Sequence, residues 1–329
     1  MMRRSLLLLS VFCLAFAGTQ AGAQEKYPSK PVKILVPYAP GGATDIITRL
    51  VGEQLRQSLG QQFVVENKAG AFGIPAIEEM ARSRPDGYTL MVGNVSTNAI
   101  TPVLFEKKMS LNYEREVVSV GRLATLPSFL IVTTKNFAPK TVAELVAYAK
   151  ANPGKVNYGS AGVGSFPHFD MEVFAKKAGL AMNHIPIKAG AAGMINDLIN
   201  GDLQTAFVNV ASTAAQIRAG TLRPVAVLAE KRLEEYPDVP TLAEAGFPGV
   251  GTLHWQSMLA PAATPKEIVA ILHKATKDAL QTPQVQEAFK KQLISATPNA
   301  SPEDAQAWLK NELASWRGTV SEIKIEMTE

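Results

Sequence analysis

Apolar positions along the chain fall into two alternating rhythms, one close to period two and one close to the helical period. Val32-Lys33-Ile34-Leu35-Val36 is a short β-rich run, and Ile46, Leu50, Val51 and Leu55 then recur at helical spacing across residues 45–59. Residues 62–66 read as a second strand, 74–82 as a short helix and 88–92 as a third strand, entered through the turn Pro85-Asp86-Gly87. The alternation restarts with a strand at 129–133 and a helix at 141–151, opened by Thr141 with Glu144 three residues on, a capping box. It continues as strand 156–158, helix 169–178, strand 184–187, helix 190–200, strand 205–208, helix 211–219 and strand 225–228. After an apolar run at 255–260, helices at 265–281, 283–292 and 302–320 close the chain. Each opens on a proline, expected in the first turn, where its missing N–H costs nothing.

This rhythm predicts an α/β fold in which mostly parallel sheets are covered by helices. Roughly 300 mature residues exceed what one core usually supports, so two domains are expected. Two strand–helix halves and a helical tail place the inter-lobe crossings near Leu126 and Trp255. Lobe 1 is then 24–125 together with 256–329, and lobe 2 is 126–255.

The first residues do not join that pattern. Arg3 and Arg4 precede an apolar run at 6–17, and Ala21-Gly22-Ala23 has the small-x-small form of a cleavage site. Residues 1–23 therefore read as a signal peptide cleaved after Ala23, which predicts an exported, periplasmic protein. The run is shorter than the roughly 20 residues a membrane-spanning helix needs. Cys13 follows bulky Phe12, which argues against lipidation, and it is the chain's single cysteine. The mature protein thus has no disulfide, thiolate metal site or cysteine nucleophile. The formal charge is +4 for the whole chain and about +2 once the two signal arginines are removed, too little to argue for nucleic acid or an anionic membrane surface. His168, His184, His254 and His273 lack metal-site spacing, and no cofactor motif is present. A soluble monomer is expected.

Two loops carry candidate chemistry. Pro37-Tyr38-Ala39-Pro40-Gly41-Gly42-Ala43-Thr44-Asp45 lies where a strand ends and a helix begins, the place where open α/β sheets put ligands. Glycines allow close backbone approach, and the free amides of a first helical turn attract an anion. An ordinary turn capped by Thr44 or Asp45 fits the same residues. The matching place in the second half holds Tyr158-Gly159-Ser160-Ala161-Gly162-Val163-Gly164-Ser165-Phe166. Two such loops, one per lobe, could face each other across a cleft. Enzyme motifs are weaker. A nucleophile elbow needs glycine two residues before Ser160, where Tyr158 stands, and the dinucleotide pattern beginning at Gly162 ends on Pro167. A lone His168 is more often a structural hydrogen-bonder than a base. A periplasmic serine hydrolase using Ser160 or Ser165 with His168 stays as the alternative, as does a ligand sensor for a two-component system.

The run from Tyr27-Pro28-Ser29-Lys30-Pro31 through Val36-Pro37-Tyr38-Ala39-Pro40-Gly41-Gly42-Ala43-Thr44-Asp45 resembles the opening of the tripartite tricarboxylate transporter receptors, the Bug family. Val65 to Gly73, Asp86 to Leu90, Asn157 to Gly164, Pro237 to Gly246 and Ala260 to Pro265 continue the resemblance, in order, along the mature chain. It implies a type II periplasmic binding protein: two α/β lobes, two inter-lobe crossings and a ligand cleft. No catalytic residue, metal or cofactor is implied. The implied partners are a small carboxylate (mono- or dicarboxylate, amino acid or aromatic acid) and integral-membrane transporter subunits. The carboxylate is expected on backbone amides and bridging waters near the first loop. Tyr38, Ala39, Gly42, Thr44 and Asp45 would form that site, with Ala71, Phe72, Asn94, Ser96 and Thr97 lining the same lobe. Ser160, Gly164, Ser165, Lys188, Ala189 and Asn209 would approach from the other. Phe72 stands where the family usually has a small residue, and Asn209 where it often has aspartate.

Overall fold

The computed structural model describes residues 27–187 and 190–323. The signal segment, Lys188 and Ala189 lie outside the described residues. In chain order the strands are β1 (Val32–Val36), β2 (Phe63–Asn67), β3 (Thr89–Asn94), β4 (Val117–Leu126), β5 (Ser128–Thr133) and β6 (Asn157–Ser160). They continue as β7 (Asn183–Pro186), β8 (Thr205–Asn209), β9 (Leu222–Leu228), β10 (His254–Pro261) and β11 (Ser295–Ala296). The helices are α1 (Ala43–Leu59), α2 (Ile74–Arg82), α3 (Thr101–Leu104), α4 (Tyr113–Glu116), α5 (Val142–Ala151) and α6 (Phe166–Ala178). After them come α7 (Gly190–Asn200), α8 (Val210–Arg218), α9 (Lys266–Leu280), α10 (Pro283–Lys291) and α11 (Pro302–Glu322).

Two sheets organise the fold, in the orders β11-β4-β10-β3-β1-β2 and β7-β6-β8-β5-β9. The chain leaves the first sheet at Leu126 and enters the second at Ser128, with Pro127 alone between them. It returns after β9 and re-enters the first sheet at His254. Successive strand residues point to opposite faces, and the core divides accordingly. Ile34, Val92 and Met258 pack with Ile47, Val51 and Leu55 of α1 and Leu272 of α9. Their chain neighbours Leu35, Met91 and Leu259 pack on the other face with Ile77 and Met80 of α2 and Leu309 and Leu313 of α11. In the second sheet Leu130 and Val132 face α5 and α6, while Phe129 and Ile131 face α7. Each fully buried aliphatic side chain contributes about 1.5–3 kcal/mol.

The sheets are mixed rather than mostly parallel. β1 runs parallel to β2 and β3, but β10 is antiparallel to both β3 and β4, and β11 to β4. In the second sheet β6 is parallel to β7 and β8, whereas β5 is antiparallel to β8 and β9. The strands flanking the crossings cause this, because a chain that passes to the other sheet and comes back reverses direction. β4 is absent from the sequence reading: Ser119, Gly121 and Arg122 interrupt its apolar run, and long-range contacts hold the strand in place. The Ser119 amide donates to Gln306 Oε1 at 2.8 Å and Arg122 Nε to the Thr297 carbonyl at 2.8 Å. α1 and α6 begin earlier than the spacing predicts, at Ala43 and Phe166. Pro265 is the residue before α9 rather than part of its first turn, while Pro283 and Pro302 occupy first turns.

Candidate ligand-binding site

The first loop joins β1 to α1. Gly41 has φ +89°, a conformation glycine adopts cheaply, and a Cβ placed on Gly41 or Gly42 would meet no atom within 4 Å. Space therefore lies open above this loop. Asp45 fixes it from below. Its carboxylate accepts from the Gly41 amide at 3.0 Å, from Asn67 Nδ2 at 2.9 Å and from Arg49 Nε at 3.0 Å. Asn67 Nδ2 also donates to the Tyr38 carbonyl at 3.0 Å, tying the loop to the end of β2. Burial alone would raise the Asp45 pKa, but the bonds from Arg49, Gly41 and Asn67 and the Arg49 charge hold it below the ordinary carboxylate value. The Asp45–Arg49 pair is neutral as a unit, so it does not repel an incoming anion as a lone carboxylate would.

Helix α1 starts at Gly42 with no side-chain cap. The residues of its first turn, Ala43, Thr44 and Asp45, are buried, and no acceptor among the described residues takes their amides. The first amides of a helix have no partner within it, so here they are left to whatever fills the open space. A neighbouring polar floor comes from the end of β3 and the π-helical turn Ser96–Ile100. Tyr38 Oη donates to Asn94 Oδ1 at 2.6 Å, and the same oxygen accepts from the Ser96 amide at 2.9 Å. Asn94 Nδ2 donates to no described residue. Thr97 Oγ1 donates to Asn98 Oδ1 at 3.0 Å. Desolvation pushes the Tyr38 phenol pKa up despite the neighbouring side chains, so it stays a neutral donor. Ala39 is exposed, and Thr44 is buried at the helix start.

Ala71 and Phe72 lie in a turn where Gly70, Ala71, Phe72 and Gly73 all have positive φ, from 43° to 109°. Thr101 Oγ1 donates to the Phe72 carbonyl at 2.9 Å, and the Phe72 ring stacks on Phe105 at 4.4 Å between centroids.

The second loop is held largely by its own side chains and by two histidines. Ser160 Oγ lies 2.9 Å from the Gly162 carbonyl, accepts from the Gly162 amide at 3.1 Å and is 2.6 Å from His184 Nε2. Ser165 Oγ donates to the Gly162 carbonyl at 2.7 Å, and the Gly164 amide donates to His168 Nδ1 at 3.0 Å. The imidazoles of His168 and His184 stack at 3.8 Å. Desolvation, with the His184 charge as a second cause for His168, pushes their pKa values down to about 3 for His168 and about 4 for His184. His168 is thus a structural hydrogen-bonder, and Ser160 is buried against a different histidine. Gly164 has φ +77°, and a Cβ there would lie 2.3 Å from Leu104 Cδ2, so a side chain at this position is strained and displaces Leu104. The Phe166 amide donates to Ser96 Oγ at 3.1 Å, so α6 is capped from the first sheet. Asn209 stands at the first crossing, its Oδ1 accepting from Ser128 Oγ at 3.0 Å.

The structure thus brings the first-loop residues, Asn94, Ser96 and Thr97 into one polar wall, with Phe72, Gly164 and Ser165 along the facing edges. Ser160 and Asp45 sit behind their loops, and Lys188 and Ala189 lie outside the described residues. Asn67, Leu104 and Phe105 were not anticipated. Asn67 could have been found as the polar residue ending a strand beside the first loop, whereas Leu104 and Phe105 reach the cleft only through tertiary packing.

Comparison with known proteins places this geometry. A family described as "Tripartite tricarboxylate transporter family receptor" matches residues 47–325. The chain is 33% identical over 323 residues to the protein BugT of Bordetella pertussis, covering 98% of each. A solved structure described as a periplasmic transporter is 37% identical, with a TM-score of 0.84 over 91% of this chain and 99% of the other. The R. palustris protein Rpa4515, solved with adipate, is 31% identical, with a TM-score of 0.84 over 91% of this chain and 99% of the other.

Proposed function

The chain belongs to the tripartite tricarboxylate transporter receptor (Bug) family, a family of solute-binding proteins and not enzymes, and on that premise we propose that it captures a small carboxylate and delivers it to membrane transporter subunits. Its α/β fold is that of periplasmic binding proteins. The observation that carries the proposal is the first turn of α1, uncapped and with no acceptor for its amides among the described residues, beneath open space. A carboxylate accepts from such amides and gains from the helix dipole, directly or through waters. The structure of the similar protein Rpa4515 with adipate supports a carboxylate of this size.

In this reading the lobes are 24–125 with 256–329 and 126–255, the protein works as a monomer in the periplasm, and the signal peptide leaves after Ala23. Tyr38, Ala39, Gly42, Thr44, Asn94, Ser96 and Thr97 hold the ligand from one lobe. Gly164, Ser165 and Asn209, together with Lys188 and Ala189, close on it from the other. Denaturing the purified protein and identifying what it releases by mass spectrometry tests the first claim. A thermal-shift panel of mono- and dicarboxylates that includes adipate tests it independently, because a ligand that binds the folded form alone stabilises it. A protein that releases nothing and shifts with none of them is not a carboxylate receptor.

A further inference from the structure

Phe72 occupies a backbone site built for glycine. Its φ of +58° lies within a run of four positive values, flanked by Gly70 at +109° and Gly73 at +79°. A side chain in the left-handed region is disfavoured by about 1–2 kcal/mol, and a phenyl ring gains nothing from the local hydrogen bonding that offsets this for asparagine. The ring is also 42% exposed, so it is not held there by core burial.

The turn is nevertheless seated firmly, and seated on the candidate site. A Cβ on Gly73 would lie 2.7 Å from Thr97 Cγ2 and 3.2 Å from Pro37 Cβ, so the backbone rests directly on the polar wall and the first loop. Thr101 Oγ1 holds the Phe72 carbonyl, and Phe105 backs the ring at 4.4 Å. Across the cleft, the Phe72 ring edge is 3.9 Å from where a Cβ on Gly162 would sit. The candidate site therefore has a floor of hydroxyl and amide groups and a lip of stacked aromatic rings that touches the second loop.

We propose that Phe72 sets the ligand preference of this receptor, selecting a carboxylate whose body beyond the anchored group is apolar, a methylene chain or an aromatic ring, over a hydroxylated one. The inference rests on the carboxylate-receptor reading above. Hydroxyl groups placed against the stacked rings lose water without gaining a hydrogen bond, whereas methylenes and aromatic carbons lose nothing there.

Calorimetric titration of the mature protein with adipate, benzoate, malate and citrate tests this, alongside Phe72→Gly, which the backbone accepts, and Phe72→Asn, which is polar and tolerates positive φ. The wild type should bind adipate or benzoate at least about 10-fold tighter than malate or citrate. Both variants should reduce that ratio about 5-fold or more by weakening the apolar ligands, with a melting temperature equal to or above that of the wild type for Phe72→Gly. An unchanged ratio in both variants, equal loss for all four ligands, or a wild type that prefers malate overturns the proposal and leaves the receptor reading standing. Absence of binding to all four in the wild type removes both.

Discussion

Replacing Asp170 with asparagine should change how stability depends on pH, because the native carboxyl is buried where the chain returns to the first sheet. Asp170 is 3% exposed; its Oδ1 accepts from Thr252 Oγ1 at 2.5 Å, and its Oδ2 has no partner among the described residues. Burial, only partly offset by the Thr252 hydroxyl and amide, pushes its pKa up from 3.8 to about 7. A carboxyl raised in this way stabilises the native state fully below its unfolded pKa, and that stabilisation is lost as pH rises through the folded value. A shift of roughly 3 units amounts to about 4 kcal/mol in all. Linkage leaves roughly 3 kcal/mol of it at pH 5 and almost none at pH 8. Asp170→Asn keeps the acceptor for Thr252 and cannot ionise. The stability difference between wild type and variant should therefore move by about 2–3 kcal/mol between pH 5 and pH 8, in the variant's favour at pH 8. Urea unfolding of both proteins in half-unit pH steps reads this directly, and taking the difference cancels the histidines that titrate in both. A difference constant to within about 0.5 kcal/mol across that range would refute the reasoning and mean that the carboxyl is charged throughout.

The histidine pair carries the opposite sign. His168 and His184 have folded pKa values of about 3 and about 4, below the usual 6.5, so stability should fall as pH drops from 6.5 through those values. His168→Gln should make that acid limb shallower in the same urea series. Tyr38→Phe removes the 2.6 Å bond to Asn94 and should lower stability by about 1 kcal/mol while weakening carboxylate binding in calorimetry. Gly93→Ala would place a Cβ 2.1 Å from Asn98 Oδ1 and 2.4 Å from Thr97 Oγ1, so a loss of about 1–3 kcal/mol in thermal unfolding is expected, together with weaker ligand binding. Wild type and Ser160→Ala should be equally unreactive toward an active-site serine reagent; labelling of Ser160 in the wild type would reopen the hydrolase reading.

The element pattern was legible where burial is one-sided or complete. β1, α2 and α7 appear as the apolar spacing predicts, since Val32 to Val36 and Ile74 to Arg82 carry their own period. β4 was not legible, because the Ser119 amide and the Arg122 side chain bond Gln306 and Thr297, partners about 180 residues away that no local period announces. Strand direction was misread for a related reason: a parallel rhythm persists locally while β4 and β10 reverse at the crossings. For the site, the two glycine-rich loops could be located, but not their unequal roles. Nothing local distinguishes a loop tied by its own side chains, as around Ser160, from one whose helix start is left open, as at Gly42.

That inequality is the point at which fold and function separate. α5 and α11, whose first turns are mostly exposed, carry side-chain caps: Thr141 Oγ1 accepts from the Glu144 amide at 3.1 Å and Ser301 Oγ from the Asp304 amide at 3.2 Å. Water could have satisfied those amides at little cost. α1 begins on the open side of the first loop, and Gly42 offers no cap. A serine or asparagine there would stabilise the helix by about 0.5–2 kcal/mol. Its oxygen would also fill the open space above the loop and occupy the amides that the proposed carboxylate needs. Leaving α1 uncapped sacrifices some stability in the empty protein, which a carboxylate bound there would restore. Ligand binding and thermal stability should therefore be coupled through this one turn, while capping at α5 and α11, remote from the first loop in sequence and solvated, remains independent of ligand.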